Sequence, residues 1–296
     1  MLRSRRNQWL LTIAVAALAF GALALAFGGG SDDEAPTPRA ASPRERPRQR
    51  DRRPAPSTQR AHPRPRPPTE AQAIERVRRR MPWVLRGGKR GRMIALTFDD
   101  GPASVTPALQ AELQRLHAPA TFFPIGSDVL SNPDLARAET RPPFSIASHT
   151  ATHARLPTLG RSAQWRQVSG GARSVARVTG NRPRLFRPPH GAYDDDTLRA
   201  LRRERALMVL WTYSAYDWTH PDADYIADRV LRLARPGAIV LMHDGGGTTR
   251  VPTLRAVPRI VTGLRRRGYR LVTVPRLLRD APPERRPARP PSPYPG

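Results

Sequence analysis

Short runs of β-forming residues alternate with helical patterns between residues 90 and 279, and this alternation constrains the fold more than any other feature. Seven runs are rich in large apolar and β-branched residues, at 93–98, 121–125, 144–147, 185–187, 207–211, 238–242 and 270–274. Between them, apolar residues recur three and four positions apart, for example at 107–116, 163–178, 197–205, 223–233 and 253–267. Such alternation predicts parallel strands joined by crossover helices. We therefore predict an α/β fold, a distorted (β/α)7-type barrel with its functional groups at the carboxyl ends of the strands.

An apolar run at residues 9–27 follows Arg3, Arg5 and Arg6 and precedes three acidic residues. As a helix rising about 1.5 Å per residue, this run spans about 28 Å, close to the ~30 Å hydrocarbon core of a bilayer. We predict that residues 1–30 form a signal anchor with a cytoplasmic N-terminus, or a signal peptide cleaved after an Ala-Leu-Ala sequence. Both alternatives make the remaining chain extracytoplasmic, either membrane-anchored or secreted.

Proline and arginine dominate the segment that follows the apolar run. Residues 36–70 contain ten prolines, ten arginines and almost no large apolar side chains. Little apolar surface can be buried there to offset the entropy lost on ordering. We predict a disordered linker at 31–75, a catalytic domain at 90–279, expected to be monomeric, and a disordered tail of similar composition at 280–296.

The net charge of +27 raises the question of a polyanionic partner. A charge run of this kind is typical of a solvated stalk, or of a segment near anionic wall polymers or lipid headgroups. An exported chain does not meet nucleic acid, so no nucleic-acid partner is expected. The chain also lacks cysteine, which excludes disulfides, thiolate nucleophiles and thiolate metal ligands. Catalytic and metal-binding groups must therefore be oxygens or imidazoles.

Two polar clusters follow predicted strands. Asp99 and Asp100 end the first strand before a Gly-Pro turn. Asp-Gly-Pro is ordinary turn chemistry, but two adjacent carboxylates repel each other unless a cation lies near them. His149 and His153 are four residues apart, which would put both imidazoles on one face of a helical turn and is typical of divalent metal sites completed by a carboxylate. Two imidazoles and one carboxylate would leave coordination positions open, as in catalytic zinc sites.

Five ordered motifs resemble those of the polysaccharide deacetylases, the NodB-homology or carbohydrate esterase 4 family. They are Thr97-Phe98-Asp99-Asp100-Gly101-Pro102, the pair His149 and His153, Arg187-Pro188-Pro189-His190-Gly191, Asp217-Trp218 and Leu241-Met242-His243-Asp244. The resemblance covers residues 90–279 and is far more specific than any single motif.

The resemblance implies a metal-dependent hydrolase. Asp100, His149 and His153 would bind one divalent metal ion, with Zn²⁺ favoured by nitrogen and oxygen ligands and Co²⁺, Mn²⁺ or Ni²⁺ as alternatives. Asp99 would be the general base that takes a proton from the attacking water, and Arg187 would pair with Asp99 and keep it ionised.

Further family roles concern the leaving group and the acetyl group. His243 would be the general acid, with Asp217 as the partner that keeps it protonated. A backbone N–H near His190 would stabilise the oxyanion. Trp218 and Leu241 would form an apolar wall around the acetyl methyl group, although Trp218 could instead be a core residue.

Two departures from the family pattern concern specificity and the metal surroundings. His190 stands where the family commonly has tyrosine, which changes contacts with the sugar but leaves the backbone donor. Residues 141–147 read Arg-Pro-Pro-Phe-Ser-Ile-Ala where relatives commonly show Gly-His-Glu-Ile-Gly, so the residues around the metal ligands must differ.

The predicted function is removal of N-acetyl groups from a cell-wall or other amino-sugar polymer outside the membrane, with peptidoglycan as the most accessible substrate. Two alternatives stay open. One is an esterase that removes O-acetyl groups, and the other is a catalytically silent glycan-binding module of the same fold.

Overall fold

Nine short strands, all paired in parallel, form the centre of residues 67–247 and 249–284, the part of the chain that the computed structural model describes. They are β1 (Trp83–Val84), β2 (Met93–Asp99), β3 (Ala120–Phe123), β4 (Phe144–Ile146), β5 (Leu185–Phe186), β6 (Leu207–Val209), β7 (Tyr213–Ser214), β8 (Ile239–His243) and β9 (Arg270–Leu271). Six of them form a sheet in the order β4-β3-β2-β8-β7, with β9 also paired to β2. The other three form a sheet in the order β1-β6-β5.

A parallel bridge between Ser148 and Phe186 joins the two sheets, because Ser148 follows β4 and Phe186 lies in β5. The strands thus continue from one sheet into the other, as in a distorted barrel. The predicted α/β fold with parallel strands is confirmed. Each of the seven predicted strand segments contains a strand, while β1 and β7 were not predicted, because two-residue strands carry too little periodicity to detect.

Helices connect most of the strands and cover the sheets. They are α1 (Glu70–Arg80), α2 (Thr106–Arg115), α3 (Gly126–Ser131), α4 (Pro133–Ala138), α5 (Arg161–Thr179), α6 (Asp195–Glu204), α7 (Ala223–Leu233), α8 (Val251–Arg266) and α9 (Val274–Asp280). The five helices predicted from periodicity correspond to α2, α5, α6, α7 and α8, with ends shifted by at most two residues.

Strand β2 is the central strand, and all seven of its residues are buried. Ile94, Leu96 and Phe98 belong to the cluster that includes side chains of α2, α7 and α8, while Met93 and Ala95 belong to a second cluster. Successive side chains of a strand point to opposite faces, so a strand covered on both sides is apolar throughout. This explains why the run 93–98 shows no polar alternation.

A helix begins before the predicted linker end at residue 75. Helix α1 starts at Glu70 with a capping box, in which Thr69 Oγ1 accepts from Gln72 N–H and Gln72 Oε1 accepts from Thr69 N–H. Ala73, Ile74 and Val77 form its buried face, and Ile74 and Val77 lie in the same core cluster as side chains of α9. The prediction failed because three small or branched apolar residues among four arginines resemble the linker in composition.

The predicted strand at 270–274 is also shorter than expected. β9 ends at Leu271, and Thr273 Oγ1 then accepts from Arg276 N–H as the N-cap of α9. Pro275 lies in the first turn of this helix, where its missing N–H costs nothing. The helix includes Asp280, and the following Ala281 is buried, so the predicted tail boundary at 280 is a few residues too early.

Three predicted segments lie wholly or partly outside the described residues: the apolar run 9–27, the linker up to residue 66 and the tail beyond residue 284. Within the described ranges, no helix has both the length and the apolar character needed to cross a bilayer.

Candidate active site

The candidate site lies at the carboxyl ends of the strands. Strand β2 ends at Asp99 and β8 ends at His243, and the parallel register pairs these two residues directly. Backbone pairing alone therefore brings the predicted base and the predicted acid to one edge of the sheet. Asp100, the next residue, has a positive φ of 71° and directs the chain into the turn after β2.

Asp100, His149 and His153 form the one group of three potential metal ligands found among the described residues, with their ligand atoms within 4.8 Å of one another. Asp100 Oδ1 lies 3.3 Å from His149 Nε2 and 3.1 Å from His153 Nε2. His149 Nδ1 lies 2.7 Å from the carbonyl oxygen of Arg187, which can only accept, so Nδ1 carries the proton and Nε2 is left as a lone-pair donor.

The two histidines converge without the helical turn that their spacing predicted. Residues 149–153 form a tight turn in which Thr150 has a φ of 69° and His153 a φ of 61°. Thr150 Oγ1 accepts from His153 N–H at 3.0 Å and stabilises this turn. The helix prediction was therefore wrong, but the turn brings both Nε2 atoms to the same carboxylate oxygen. The departure at 141–147 leaves this arrangement intact, because β4 still pairs in register with β3.

The three ligands fit a divalent metal ion. Asp100 Oδ1 is buried and accepts no well-oriented hydrogen bond, although two imidazole nitrogens lie within 3.3 Å. A buried carboxylate oxygen without a hydrogen bond is costly, and a cation shared with the two nitrogens would remove that cost. Two imidazoles and one carboxylate are the donor set of catalytic Zn²⁺ sites.

Asp99 is paired with Arg187 in the interior. Arg187 NH1 donates to Asp99 Oδ1 at 2.6 Å, and both side chains are almost completely buried. Arg187 also donates to Thr97 Oγ1 and to the carbonyl oxygens of Val209 and Leu210, and its guanidinium lies over the Phe123 ring. Burial lowers the pKa of Arg187, while the Asp99 charge opposes that effect. Arg187 thus fixes the orientation of Asp99.

His243 is paired with Asp217. His243 Nδ1 lies 2.8 Å from Asp217 Oδ1, while Asp217 Oδ2 accepts from the His243 N–H and from Thr253 Oγ1, both at 2.8 Å. Burial opposes the charged imidazole, but the charge and hydrogen bond of Asp217 outweigh burial and raise the pKa of His243 to about 9. His243 is therefore protonated at neutral pH, as a general acid must be.

The predicted substrate-contacting residues line one cleft of about 340 Å³ together with the metal ligands, Asp99 and His243. Trp218 is partly exposed, so the core alternative is not supported, and its ring lies edge-on to His243 with centroids 5.1 Å apart. Leu241 forms the adjacent apolar wall. The structure thus brings together the metal ligands, both charge pairs and the apolar wall.

His190 also lines the cleft, and its ring contacts His153 with centroids 5.0 Å apart. It has a φ of 58° in a short 3₁₀ turn in which Gly191 N–H and Ala192 N–H donate to the carbonyl oxygens of Pro188 and Pro189. Burial lowers the pKa of His190, and the charges of His153 and Arg155 lower it further. The role of a backbone donor near His190 stays a prediction.

Sequence reasoning missed part of the cleft wall. Among the residues not predicted are Trp211, Gly246, Gly247 and Arg250. Gly246 has a φ of 65°, and a Cβ there would lie 2.5 Å from Asp100 Oδ2, so only glycine lets this loop approach the metal-ligand carboxylate. The run of three glycines after the last motif was the available signal, because such a run after a strand marks a close backbone approach.

Comparisons with known proteins agree with this geometry. The sequence pattern described as "Polysaccharide deacetylase" matches residues 86–206. A chitooligosaccharide deacetylase from Bradyrhizobium sp. (strain ANU 289) is 34% identical over 198 residues, which cover 63% of this chain and 90% of that protein. A peptidoglycan-N-acetylglucosamine deacetylase from Bacillus cereus is 35% identical over 191 residues, covering 64% and 89% respectively.

A solved structure shows the same fold. It is the family 4 carbohydrate esterase from Streptomyces lividans in complex with acetate, which superposes with a TM-score of 0.58 at 31% sequence identity and covers 65% of this chain and 98% of that one. The three relatives named here are matched over 89–98% of their own length. The chain therefore belongs to the polysaccharide deacetylase family, whose members are hydrolases.

Proposed function

We propose that this enzyme is a metal-dependent deacetylase that hydrolyses N-acetyl groups of an amino-sugar polymer outside the cytoplasmic membrane. The observation that carries the proposal is the pairing of Asp99 with Arg187 and of His243 with Asp217 around the ligands Asp100, His149 and His153. The named activities of the relatives, on chitooligosaccharides and on peptidoglycan N-acetylglucosamine, support an N-acetylated glycan as the substrate.

The two charge pairs divide the proton transfers of amide hydrolysis. When bound, a divalent ion supplies Lewis-acid chemistry, which polarises the acetamide carbonyl and lowers the pKa of nearby water. Asp99, oriented by its contact with Arg187, accepts the proton of the attacking water. Protonated His243 donates to the departing amine nitrogen, and Asp217 stabilises the imidazolium before that step. Trp218 and Leu241 exclude water around the acetyl methyl group.

We favour Zn²⁺ as the ion because two imidazoles and one carboxylate suit it, with Co²⁺, Mn²⁺ and Ni²⁺ as competitors. Peptidoglycan is the favoured polymer because the apolar run at 9–27 predicts export, and this wall polymer is then the nearest abundant N-acetylated glycan. A reporter fused to the C-terminus tests the location, since a cytoplasmic signal would contradict the export part of the proposal.

Acetate release from peptidoglycan and from chitin oligomers tests the activity of the full-length protein in detergent. We expect release with Zn²⁺, loss with a chelator and recovery on adding the ion back. Asp99→Asn should lower kcat by about 10²- to 10⁴-fold, because it removes the general base. Asp228→Asn, a change of an exposed carboxylate far from the metal ligands in sequence, is the matched control.

A folded protein that binds Zn²⁺ but releases no acetate from N-acetylated glycans would contradict the proposal. Release from an O-acetylated polysaccharide would then indicate the esterase alternative. Glycan binding without release from either substrate would indicate the silent module.

A further inference from the structure

Arg250 lies in the wall of the active-site cleft and has no role in the mechanism above. It is partly buried and directly precedes α8. Arg250 Nε donates to the carbonyl oxygen of Gly245 at 2.8 Å, which uses one edge of the guanidinium. Among the described residues, the terminal NH1 and NH2 groups make no hydrogen bond or ion pair.

The anchoring of Arg250 holds its guanidinium against the loop that packs on the metal ligand Asp100. Gly245 begins the three-glycine loop in which Gly246 packs against the Asp100 carboxylate. Gly247 lies beside Arg250 NH2, since a Cβ on Gly247 would be 3.3 Å from that atom. The loop and the guanidinium therefore form one wall of the cleft, next to the position of the acetamide in the proposed reaction.

The charge environment of Arg250 differs from that of the other arginines at or behind this site. Arg187 is neutralised by Asp99 and does not line the cleft, whereas Arg250 lines it without a carboxylate partner among the described residues. Because Nε is already used, the two remaining nitrogens present parallel N–H donors, the arrangement that binds a carboxylate through both oxygens. An oxyanion on the substrate would complete this arrangement.

We propose that Arg250 is a specificity-determining residue that binds a carboxylate carried by the substrate beside its acetamido group, so that acidic N-acetylated glycans are preferred over neutral ones. This inference rests on the proposed deacetylase function and deepens it. The net charge of +27 acts in the same direction, since it attracts acidic polymers at low ionic strength.

A pair of substrates that differ only in charge tests the inference on the full-length protein. One is a disaccharide of N-acetylglucosamine and N-acetylmuramic acid with a free lactyl carboxylate, and the other is its methyl ester. We expect kcat/KM to be about ten-fold higher for the acid, as for loss of one charged hydrogen-bonded contact, and the difference to fall with added salt. A third disaccharide, in which a uronic acid next to the N-acetylated sugar carries the carboxylate, shows whether that carboxylate is recognised as well as the lactyl carboxylate.

Three variants separate specificity from a structural role. Arg250→Gln should raise KM for the acid about ten-fold and reduce the preference for the acid to less than two-fold, while Arg250→Lys retains part of the preference. Arg255→Gln removes an exposed arginine from the same helix and should keep the full preference. Arg255→Gln changes the net charge by the same amount as Arg250→Gln does.

Two results would overturn the inference. Equal turnover of acid and ester by the wild-type protein would mean that it has no carboxylate site. Equal loss of both activities in Arg250→Gln would mean that the Arg250 side chain holds the loop rather than the substrate. If neither disaccharide is turned over, acetate release from peptidoglycan or chitin oligomers still decides the proposed function. Calorimetric binding of acid and ester then still tests Arg250, and equal affinities would count against it.

Discussion

Two charge pairs flank the metal ligands, and each fixes the position of one functional side chain. Asp99 contacts a guanidinium that is itself held by carbonyl oxygens, so its position depends on buried hydrogen bonds rather than on solvent. His243 contacts a carboxylate whose second oxygen is occupied by Thr253 and by the His243 backbone. Arg187 therefore holds Asp99, the base, in position, and the carboxylate of Asp217 keeps His243, the acid, protonated at neutral pH.

Removing the Asp217 charge tests this at the level of one residue. Asp217→Asn should lower the pKa of His243 from about 9 toward its ordinary value of about 6.5, because the carboxylate is what outweighs burial. Turnover requires protonated His243, so the basic limb of the pH profile of kcat should move to lower pH by one unit or more. The measurement is kcat for acetate release between pH 6 and about 10.

The exposed carboxylate variant Asp228→Asn should leave the basic limb in place. A basic limb that does not move in Asp217→Asn, with kcat otherwise measurable, would mean that another group supplies the proton.

At the scale of elements, helix α1 closes one end of the core although its composition resembles a linker. Ile74 and Val77 are 5% and 3% exposed and share a cluster with Leu277 and Leu278 of α9. Four arginines and two glutamates occupy most of its other positions, and Glu75 forms ion pairs with Arg78 and Arg79. The apolar face of this helix is part of the domain, so truncation beyond residue 69 should expose α9.

The substitution Ile74→Ala measures how much the packing of α1 contributes to the free energy of unfolding. Removing a buried isoleucine side chain costs about 2–5 kcal/mol of unfolding free energy through lost burial and the cavity left behind. Denaturant unfolding should show a lower midpoint with an unchanged slope. Arg76→Ala, on the exposed side of the same helix, should stay within about 0.5 kcal/mol of wild type. Equal stabilities for Ile74→Ala and wild type would mean that α1 does not pack on the domain.

At the scale of the whole molecule, one buried carboxyl group opposes stability. Glu139 follows α4, is completely buried, and neither of its oxygens has a hydrogen-bond partner among the described residues. Burial raises the pKa of Glu139 well above its ordinary value, and the charge of Asp244 adds to this. The folded protein therefore binds this proton more tightly than the unfolded chain does.

Glu139→Gln should consequently become more stable relative to wild type as pH rises. Below the unfolded-state pKa of about 4.3, the Glu139 carboxyl of the wild type is protonated in both the folded and the unfolded state. As pH rises from about 4.3 toward the folded-state pKa, only the folded state keeps the proton, and the wild type loses unfolding free energy. The difference in unfolding free energy should grow by up to about 1.4 kcal/mol per pH unit between pH 5 and the folded-state pKa.

Denaturant unfolding at pH 5, 6 and 7 gives this difference directly. Glu284→Gln, a change of an exposed carboxyl near the end of the described chain, is the control and should show no such trend. A constant difference for Glu139→Gln across this range would show that Glu139 titrates as an ordinary carboxyl.

Local patterns determined the fold class and the predicted metal ligands, and the ordered family motifs identified the other site residues. Parallel strands buried on both faces are apolar throughout, and amphipathic helices repeat every 3.6 residues, so both are visible along the chain. Asp99 and Asp100 stand out because adjacent carboxylates at a strand end repel each other without a cation, and His149 and His153 stand out by their spacing. His243 was identified by the resemblance to the family motifs. The helix Glu70–Arg80 was not predicted because its composition resembles the linker, and Val274–Asp280 was not predicted because it is short. Their packing on each other decides that they form.

Sequence alone determined which side chains are available to the site, whereas tertiary structure decided how they meet. The register of β2 and β8 puts Asp99 opposite His243, and a turn with two left-handed residues, not a helix, brings His149 and His153 to Asp100. Arg250 becomes part of the cleft only because a glycine loop lies against Asp100. Contacts between residues distant in the chain depend on register, backbone handedness and close approach, and these are properties of the packed molecule rather than of any local pattern.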